Sequence, residues 1–179
     1  MKNYAANGIN VSIFKECSDV DFVSSLNKPY EYSNMQSIAN VDLSIDTIYE
    51  RAFVNCVNLK NLNLHGTQTI CKEAFNSCEK LAYVSLPDTL LAISSDAFAN
   101  CTSLQSIDLP ESLMHIGNTA FKNCNSLSSL VLPTNLKTIG YAAFENCSSL
   151  VSVSMPTTLE LISENAFNNC TNLSCVAFY

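Results

Sequence analysis

The sequence predicts an α/β solenoid, with a parallel sheet along one side, short helices along the other and about 23 residues in each repeat. Three features carry that expectation. A segment Ala-Phe-x-x-Cys-x-x-Leu recurs six times, the hydrophobic period switches from helix-like to strand-like inside each copy, and an Ile recurs eight residues before the next cysteine.

The copies begin at Ala52-Phe53, Ala74-Phe75, Ala97-Phe98, Ala120-Phe121, Ala143-Phe144 and Ala166-Phe167. Their cysteines stand at 56, 78, 101, 124, 147 and 170, a first spacing of 22 followed by four of 23. Ahead of them the skeleton is looser. Tyr32-x-x-Met35-x-x-Ile38-x-x-Val41-x-Leu43 fits with Tyr for Phe and Met for Cys, and Ile9, Phe14, Cys17, Val20 and Val23 fit again. Residues 1–34 therefore read as a degenerate N-terminal capping region and 35–179 as the solenoid, since terminal repeats are expected to be atypical.

Within one copy, Ala97, Phe98, Cys101 and Leu104 form a stripe at i, i+1, i+4 and i+7, which predicts a helix of about two turns with Ser94-Ser95-Asp96 as its N-cap. Next Ile107 and Leu109 alternate with Ser106 and Asp108, which predicts a short strand closed by Pro110. The same strand and stop recur at Val84-Ser85-Leu86-Pro87, Leu130-Val131-Leu132-Pro133 and Val153-Ser154-Met155-Pro156. Ile70, Ile93, Ile116, Ile139 and Ile162 follow as inward residues. One unit cannot bury enough apolar surface to fold by itself, so neighbouring units must stack, and their strands should form one continuous ladder.

The run from Cys78 through Phe98, Cys-x-x-Leu-x-x-Ile-x-Leu-Pro-x-x-Leu-x-x-Ile-x-x-x-Ala-Phe with Val84 in the Ile place, resembles the BspA-like leucine-rich repeats, the TpLRR class. The resemblance covers about residues 35–179 and implies a leucine-rich-repeat solenoid. Members are repeat proteins of bacteria and anaerobic protozoa, many thought to lie at cell surfaces and to bind proteins or host matrix. The expected function is a non-catalytic protein-protein interaction scaffold, a candidate component of a larger assembly, with a cell-surface adhesin binding extracellular matrix or another cell as the alternative.

Composition narrows the chemistry. Nine Lys and Arg against sixteen Asp and Glu give a net charge of −7, so no basic field draws in nucleic acid. Gly8, Gly66, Gly117 and Gly140 are too dispersed for a phosphate-cradling loop. The N-terminal residues lack the apolar run of a signal peptide, no eighteen apolar residues run together, and Cys175 stands fifth from the end, so the expectation is a cytoplasmic protein with no membrane insertion. The cell surface is the alternative location.

Nine cysteines invite a disulfide or metal reading, but Cys17, Cys56, Cys78, Cys101, Cys124, Cys147 and Cys170 occupy one repeat position, no Cys-x-x-Cys exists, and neither His65 nor His115 has zinc spacing. They are expected to pack as free thiols, which suits a reducing compartment, and no metal or cofactor is expected. Cys71 and Cys175 lie outside this column. Asn-x-Ser/Thr occurs at Asn10, Asn100, Asn146, Asn169 and Asn172, largely because the repeat spells Asn-Cys-Ser/Thr. Asn55, Asn100, Asn123, Asn146 and Asn169 are expected to take the left-handed conformation where the helix unwinds and to bond their own backbone.

No catalytic residue is expected. His65 and His115 fall in turn regions of non-adjacent units with no Ser/Asp partners, and Asp108 and Glu111 read as solvated carboxylates. The candidate protein-binding face is the outward half of the strands: Asn61, Asn63, Tyr83, Ser85, Ser106, Asp108, Ser129, Val131, Ser152 and Ser154. It is small, polar and nearly uncharged. A second candidate is the C-terminal edge, where Cys175, Ala177, Phe178 and Tyr179 end the chain on a strand with no polar cap, open to strand addition or end-on packing.

Overall fold

The computed structural model describes residues 31–179 and the backbone of 19–21. Its strands follow the repeat. One ladder gathers the longer strands: β1 (Asp19–Asp21), β2 (Asn40–Ser44), β4 (Asn61–His65) and β6 (Tyr83–Ser85), then separately β9 (Ser129–Val131), β11 (Ser152–Met155) and β13 (Cys175–Phe178). The other is continuous and made of two-residue strands: β3 (Thr47–Ile48), β5 (Thr69–Ile70), β7 (Ala92–Ile93), β8 (His115–Ile116), β10 (Thr138–Ile139) and β12 (Leu161–Ile162). Every pairing is parallel and each register links corresponding positions of successive copies, as in Asn61↔Tyr83 and Ile93↔Ile116.

The stacking of repeats is as expected, but two of its details are not. No helix is present among the described residues. The Ala-Phe-x-x-Cys segment is instead a ladder of tight turns, and the backbone shows why. Two residues in each copy have φ between 51° and 62°: the one before Ala-Phe (Arg51, Glu73, Asp96, Thr119, Ala142, Asn165) and the one before Cys (Asn55, Ser77, Asn100, Asn123, Asn146, Asn169). Left-handed residues interrupt a right-handed helix. Asp96, with φ at 57°, is thus a turn residue and Ser94-Ser95-Asp96 caps no helix.

Backbone donors in this segment alternate between partners inside and outside the copy. The cysteine N–H closes a turn onto its own copy's Phe carbonyl at 3.2 Å, as in Cys101 to Phe98. The Phe N–H reaches the next copy's Ala carbonyl at 2.8 Å, as in Phe98 to Ala120, and the Asn100 N–H reaches Lys122 at 2.8 Å. A helix would satisfy its donors within itself. Here half of them tie one coil to the next.

The second difference is a break in the longer-strand ladder. Residues 105–109 form no strand, which separates β6 from β9. Pro110 does not explain it, because Pro87, Pro133 and Pro156 hold the same position beside strands that do pair.

The core is a set of columns running along the solenoid. Tyr32, Phe53, Phe75, Phe98, Phe121, Phe144 and Phe167 stack with centroids 5.2–5.4 Å apart and near-parallel rings. Leu59, Leu81, Leu104, Leu127 and Leu150 form a second buried column, and Ile48, Ile70, Ile93, Ile116 and Ile139 a third. Ile162, expected inward like its counterparts, is 43% exposed, and among the described residues no strand pairs with the far side of β12. The readings on Ile9, Phe14, Cys17 and Val23, and most of the proposed 1–34 cap, lie outside the described residues; Val20 is described only as backbone, paired with Val41.

Close coil contact explains two glycines. A Cβ on Gly117 would lie 2.6 Å from the Ser95 nitrogen, and one on Gly140 would lie 2.5 Å from the Asn118 nitrogen. Both obstacles are backbone, which cannot swing aside as a side chain does. Gly140→Ala is therefore expected to lower stability by about 1–2 kcal/mol through overpacking, read as a drop in the urea midpoint with an unchanged slope.

Candidate functional site

Strand alternation sends Val41 and Leu43, Leu62 and Leu64, Leu130 and Val153 into the core, so their neighbours must face outward. Register then sorts the outward side chains into two rows: Asn40, Asn61 and Tyr83 with Ser129, Ser152 and Cys175, and Asp42, Asn63 and Ser85 with Val131, Ser154 and Ala177. Ser106 and Asp108 are exposed on the unpaired segment between the two halves. The sequence-predicted face is thus outward throughout, with Asn63, Ser152 and Ser154 half-buried and the others exposed.

The two halves of this face differ. The half on β2, β4 and β6 carries a bonded polar cluster. Asn61 Nδ2 donates to Asn40 Oδ1, Asn63 Nδ2 donates to Asp42 Oδ2 at 3.1 Å, and Asn63 Nδ2 lies 2.9 Å from His65 Nε2. His65 Nε2 also lies 3.0 Å from Asp42 Oδ1. This corrects the expectation that no acidic side chain reaches a histidine, and both histidines lie on strands rather than in turns. Asp42 is 21 residues from Asn63 and meets it only because the coils stack. The pair sits on an open face, its side chains 55% and 50% exposed, rather than in a concave site. His115 instead meets the Thr138 hydroxyl at 3.0 Å. Glu111 accepts from the N–H and hydroxyl of Thr134, so it is bonded as well as solvated.

The half on β9, β11 and β13 is more apolar. Val131 is 61% exposed, and Val151, a residue the sequence reading passed over, is 48% exposed just before β11. Cys175, Ala177, Phe178 and Tyr179 are exposed along β13 and the residue after it, and among the described residues β13 pairs only with β11. Tyr179 is tied down. Its N–H donates to the Met155 carbonyl, its carbonyl accepts from Thr157 N–H, and its hydroxyl bonds the Leu132 carbonyl. The shorter-strand ladder presents a further surface that sequence reasoning missed, with Leu91 and Met114 exposed in one column; two-residue strands are too short to show alternation.

The thiol column is explained by its hydrogen bonds. Each Sγ–H donates to the Phe or Tyr carbonyl of the preceding coil at 3.1–3.3 Å, from Cys56 on Tyr32 to Cys170 on Phe144. Burial pushes the Cys56 thiol up to about 11 and the Cys124 thiol up to about 12, and holds Cys78 and Cys101 well above the usual thiol range. No disulfide joins the described cysteines. Native-state alkylation should label Cys175 quickly, Cys71 slowly, and Cys56, Cys78, Cys101, Cys124 and Cys147 only on unfolding. With the folded values of Cys56 and Cys124 raised, the unfolded chain loses these thiol protons first as pH rises. The stability carried by the two neutral thiols is then whole below about pH 9 and lost through pH 11–12. The stability gap between wild type and Cys124→Ala should therefore hold steady below pH 9 and narrow above it.

The asparagines before each cysteine do take the left-handed conformation, but they bond one another as well as filling a turn. Asn123 Nδ2 donates to Asn100 Oδ1 and Asn146 Nδ2 to Asn123 Oδ1, both at 2.7 Å, and Asn169 Nδ2 to Asn146 Oδ1 at 3.0 Å. The side-chain ladder also starts at Asn55, on Asn34, and passes through Asn76 and Ser77 at Asn100.

A family model for the BspA type leucine rich repeat region matches residues 4–70 and 68–179, in six copies. The chain belongs to the BspA-type leucine-rich-repeat family. Solved structures agree with this BspA-type fold. A leucine-rich repeat protein from Bacteroides ovatus is similar with TM-score 0.80 at 25% identity, over 89% of this chain and 45% of that one. The leucine-rich repeat protein of T. pallidum, TpLRR, is similar with TM-score 0.67 at 31% identity, over 88% of this chain and 68% of that one. The pneumococcal vaccine antigen PcpA shares the fold at 21% identity with TM-score 0.51, over 76% of this chain and 31% of that one. The BspA-type chain thus spans less than half the length of the B. ovatus protein. No curated protein sequence matches it. Leucine-rich-repeat proteins are in general non-catalytic protein-interaction scaffolds.

Proposed function

We propose that this chain is a non-catalytic scaffold that binds a protein partner through the outward strand face, centred on the half built from β9, β11 and β13. The observation that carries this reading is the exposure of Val131 on a row of otherwise small outward residues, with Val151 exposed just ahead of the neighbouring strand. Exposed apolar side chains on a hydrogen-bonded sheet cost little entropy to bury, because the backbone beneath them is already fixed. Ser129, Ser152 and Ser154 surround them with short donors and acceptors that a partner's backbone can meet. Cys175 and Ala177, in register with Ser152 and Ser154, continue this surface onto β13.

Cross-linking in the native cell identifies the partner, and its affinity is then measured with purified components. Val131→Asp and Val151→Asp should each weaken binding about tenfold, the equivalent of about 1.4 kcal/mol, while Leu91→Asp on the other ladder leaves it unchanged. Equal affinity for wild type and both valine variants would show that the partner sits elsewhere.

A further inference from the structure

We propose that the other half of the strand face, on β2, β4 and β6, is a binding platform for a neutral glycan. This goes beyond protein recognition and uses different residues. Polyhydroxylated rings are held by planar groups that meet adjacent hydroxyls in pairs and by an aromatic ring that covers their C–H face. Amides and carboxylates supply the first, and tyrosine supplies the second.

The structure brings those groups together from three successive coils. Asn40, Asp42, Asn61, Asn63 and His65 share one patch, and Tyr83 stands beside Asn61 in the β4–β6 register with 69% of its surface exposed. Mutual hydrogen bonds already orient the planar groups: Asn61 on Asn40, Asn63 on Asp42, and His65 against Asp42 at 3.0 Å. Little side-chain freedom remains to be lost on binding, and the amide and carboxylate oxygens of Asp42, Asn61 and Asn63 each carry two lone pairs with which to meet hydroxyls. The coils set these groups about 4.8 Å apart along a flat row, so the patch suits an extended chain of sugar rings rather than a small molecule that needs enclosure.

Charge selects the kind of glycan. The outward positions of these strands carry Asp42 and no lysine or arginine, and the chain has a net charge of −7. Sulfated, phosphorylated or sialylated chains would be repelled, whereas a neutral one meets no penalty. A protein partner would need apolar anchors, and among the outward residues of this half Tyr83 is the one large exposed apolar side chain.

The test is an array of neutral and acidic oligosaccharides probed with the labelled full chain, followed by calorimetric titration of the best neutral oligosaccharide. The expected result is binding to neutral oligosaccharides alone, with affinity changing less than twofold between low and high salt. Tyr83→Ala and Asn63→Ala should each weaken it at least tenfold. Val131→Asp, which tests the protein-binding reading, should leave it unchanged, so either proposal can fail while the other stands. Silence across the array, binding confined to acidic glycans, or a neutral glycan bound equally well by Tyr83→Ala would each overturn it. Thermal unfolding of both variants close to wild type shows that a lost signal reports the patch and not the fold.

Discussion

Replacing Phe121 by alanine is expected to lower stability by about 3–5 kcal/mol, the range for truncating a buried aromatic side chain. The Phe121 ring is fully buried and sits between Phe98 and Phe144, with centroids at 5.4 and 5.2 Å. The substitution therefore removes two stacked contacts as well as buried area, and each stack adds about 0.5–1.5 kcal/mol beyond the area term. Relaxation into the gap is limited, since the backbone on both sides is pinned: Phe121 N–H donates to Ala143 and Phe98 N–H to Ala120. Ser129→Ala, on the outward face, should change stability by less than about 0.5 kcal/mol. Chemical denaturation of the two variants reads this contrast directly, and matching midpoints would refute the inside and outside assignment. Phe167, partly buried and stacked on one side by Phe144, with no further ring among the described residues, should cost less than Phe121 when truncated.

Asn123→Ala is expected to be the next most damaging change, at about 2–3 kcal/mol. Two effects add. Alanine at φ 62° takes on the steric cost of the left-handed region, about 1–2 kcal/mol, and the amide ladder loses both its bond to Asn100 and the acceptor for Asn146. Asn123→Gly separates them. Glycine adopts the conformation without strain and should recover the backbone part, leaving a deficit near 1 kcal/mol. Equal losses for the alanine and glycine variants would mean that the amide ladder, and not the backbone conformation, fixes asparagine there.

Much of the architecture was legible because stacking constrains residues strictly. Phe, Cys, Leu and Ile recur where columns pass through the core, and a column tolerates few substitutions. The turn ladder was not legible from the same residues. A stripe at i, i+1, i+4 and i+7 suits both a short helix and a run of turns, and periodicity alone does not separate them. The deciding information lay in backbone conformation. Asparagine before the cysteine in five of the six copies hinted at one left-handed residue, whereas Arg51, Glu73, Asp96, Thr119, Ala142 and Asn165 share no chemistry that would announce the other.

The face followed from alternation in strands of three to five residues, so its members could be named in advance. Its division could not. The break at residues 105–109 has no signature in the sequence, and the Asp42–His65 contact depends on the register between coils, which a linear reading does not supply. The exposed valines illustrate the same limit. Val131 was visible as an outward residue, but Val151 sits one position ahead of its strand, where alternation has not yet begun.

Identical joints between coils have a consequence for how such a molecule can change length. Because turn donors on one coil find the same acceptors on whichever coil follows, removing or duplicating one whole 23-residue block reproduces the turn joints it disturbs. The molecule then behaves as a ruler graduated in steps of about 4.8 Å, along which the two proposed recognition patches can be moved apart or together without redesigning either.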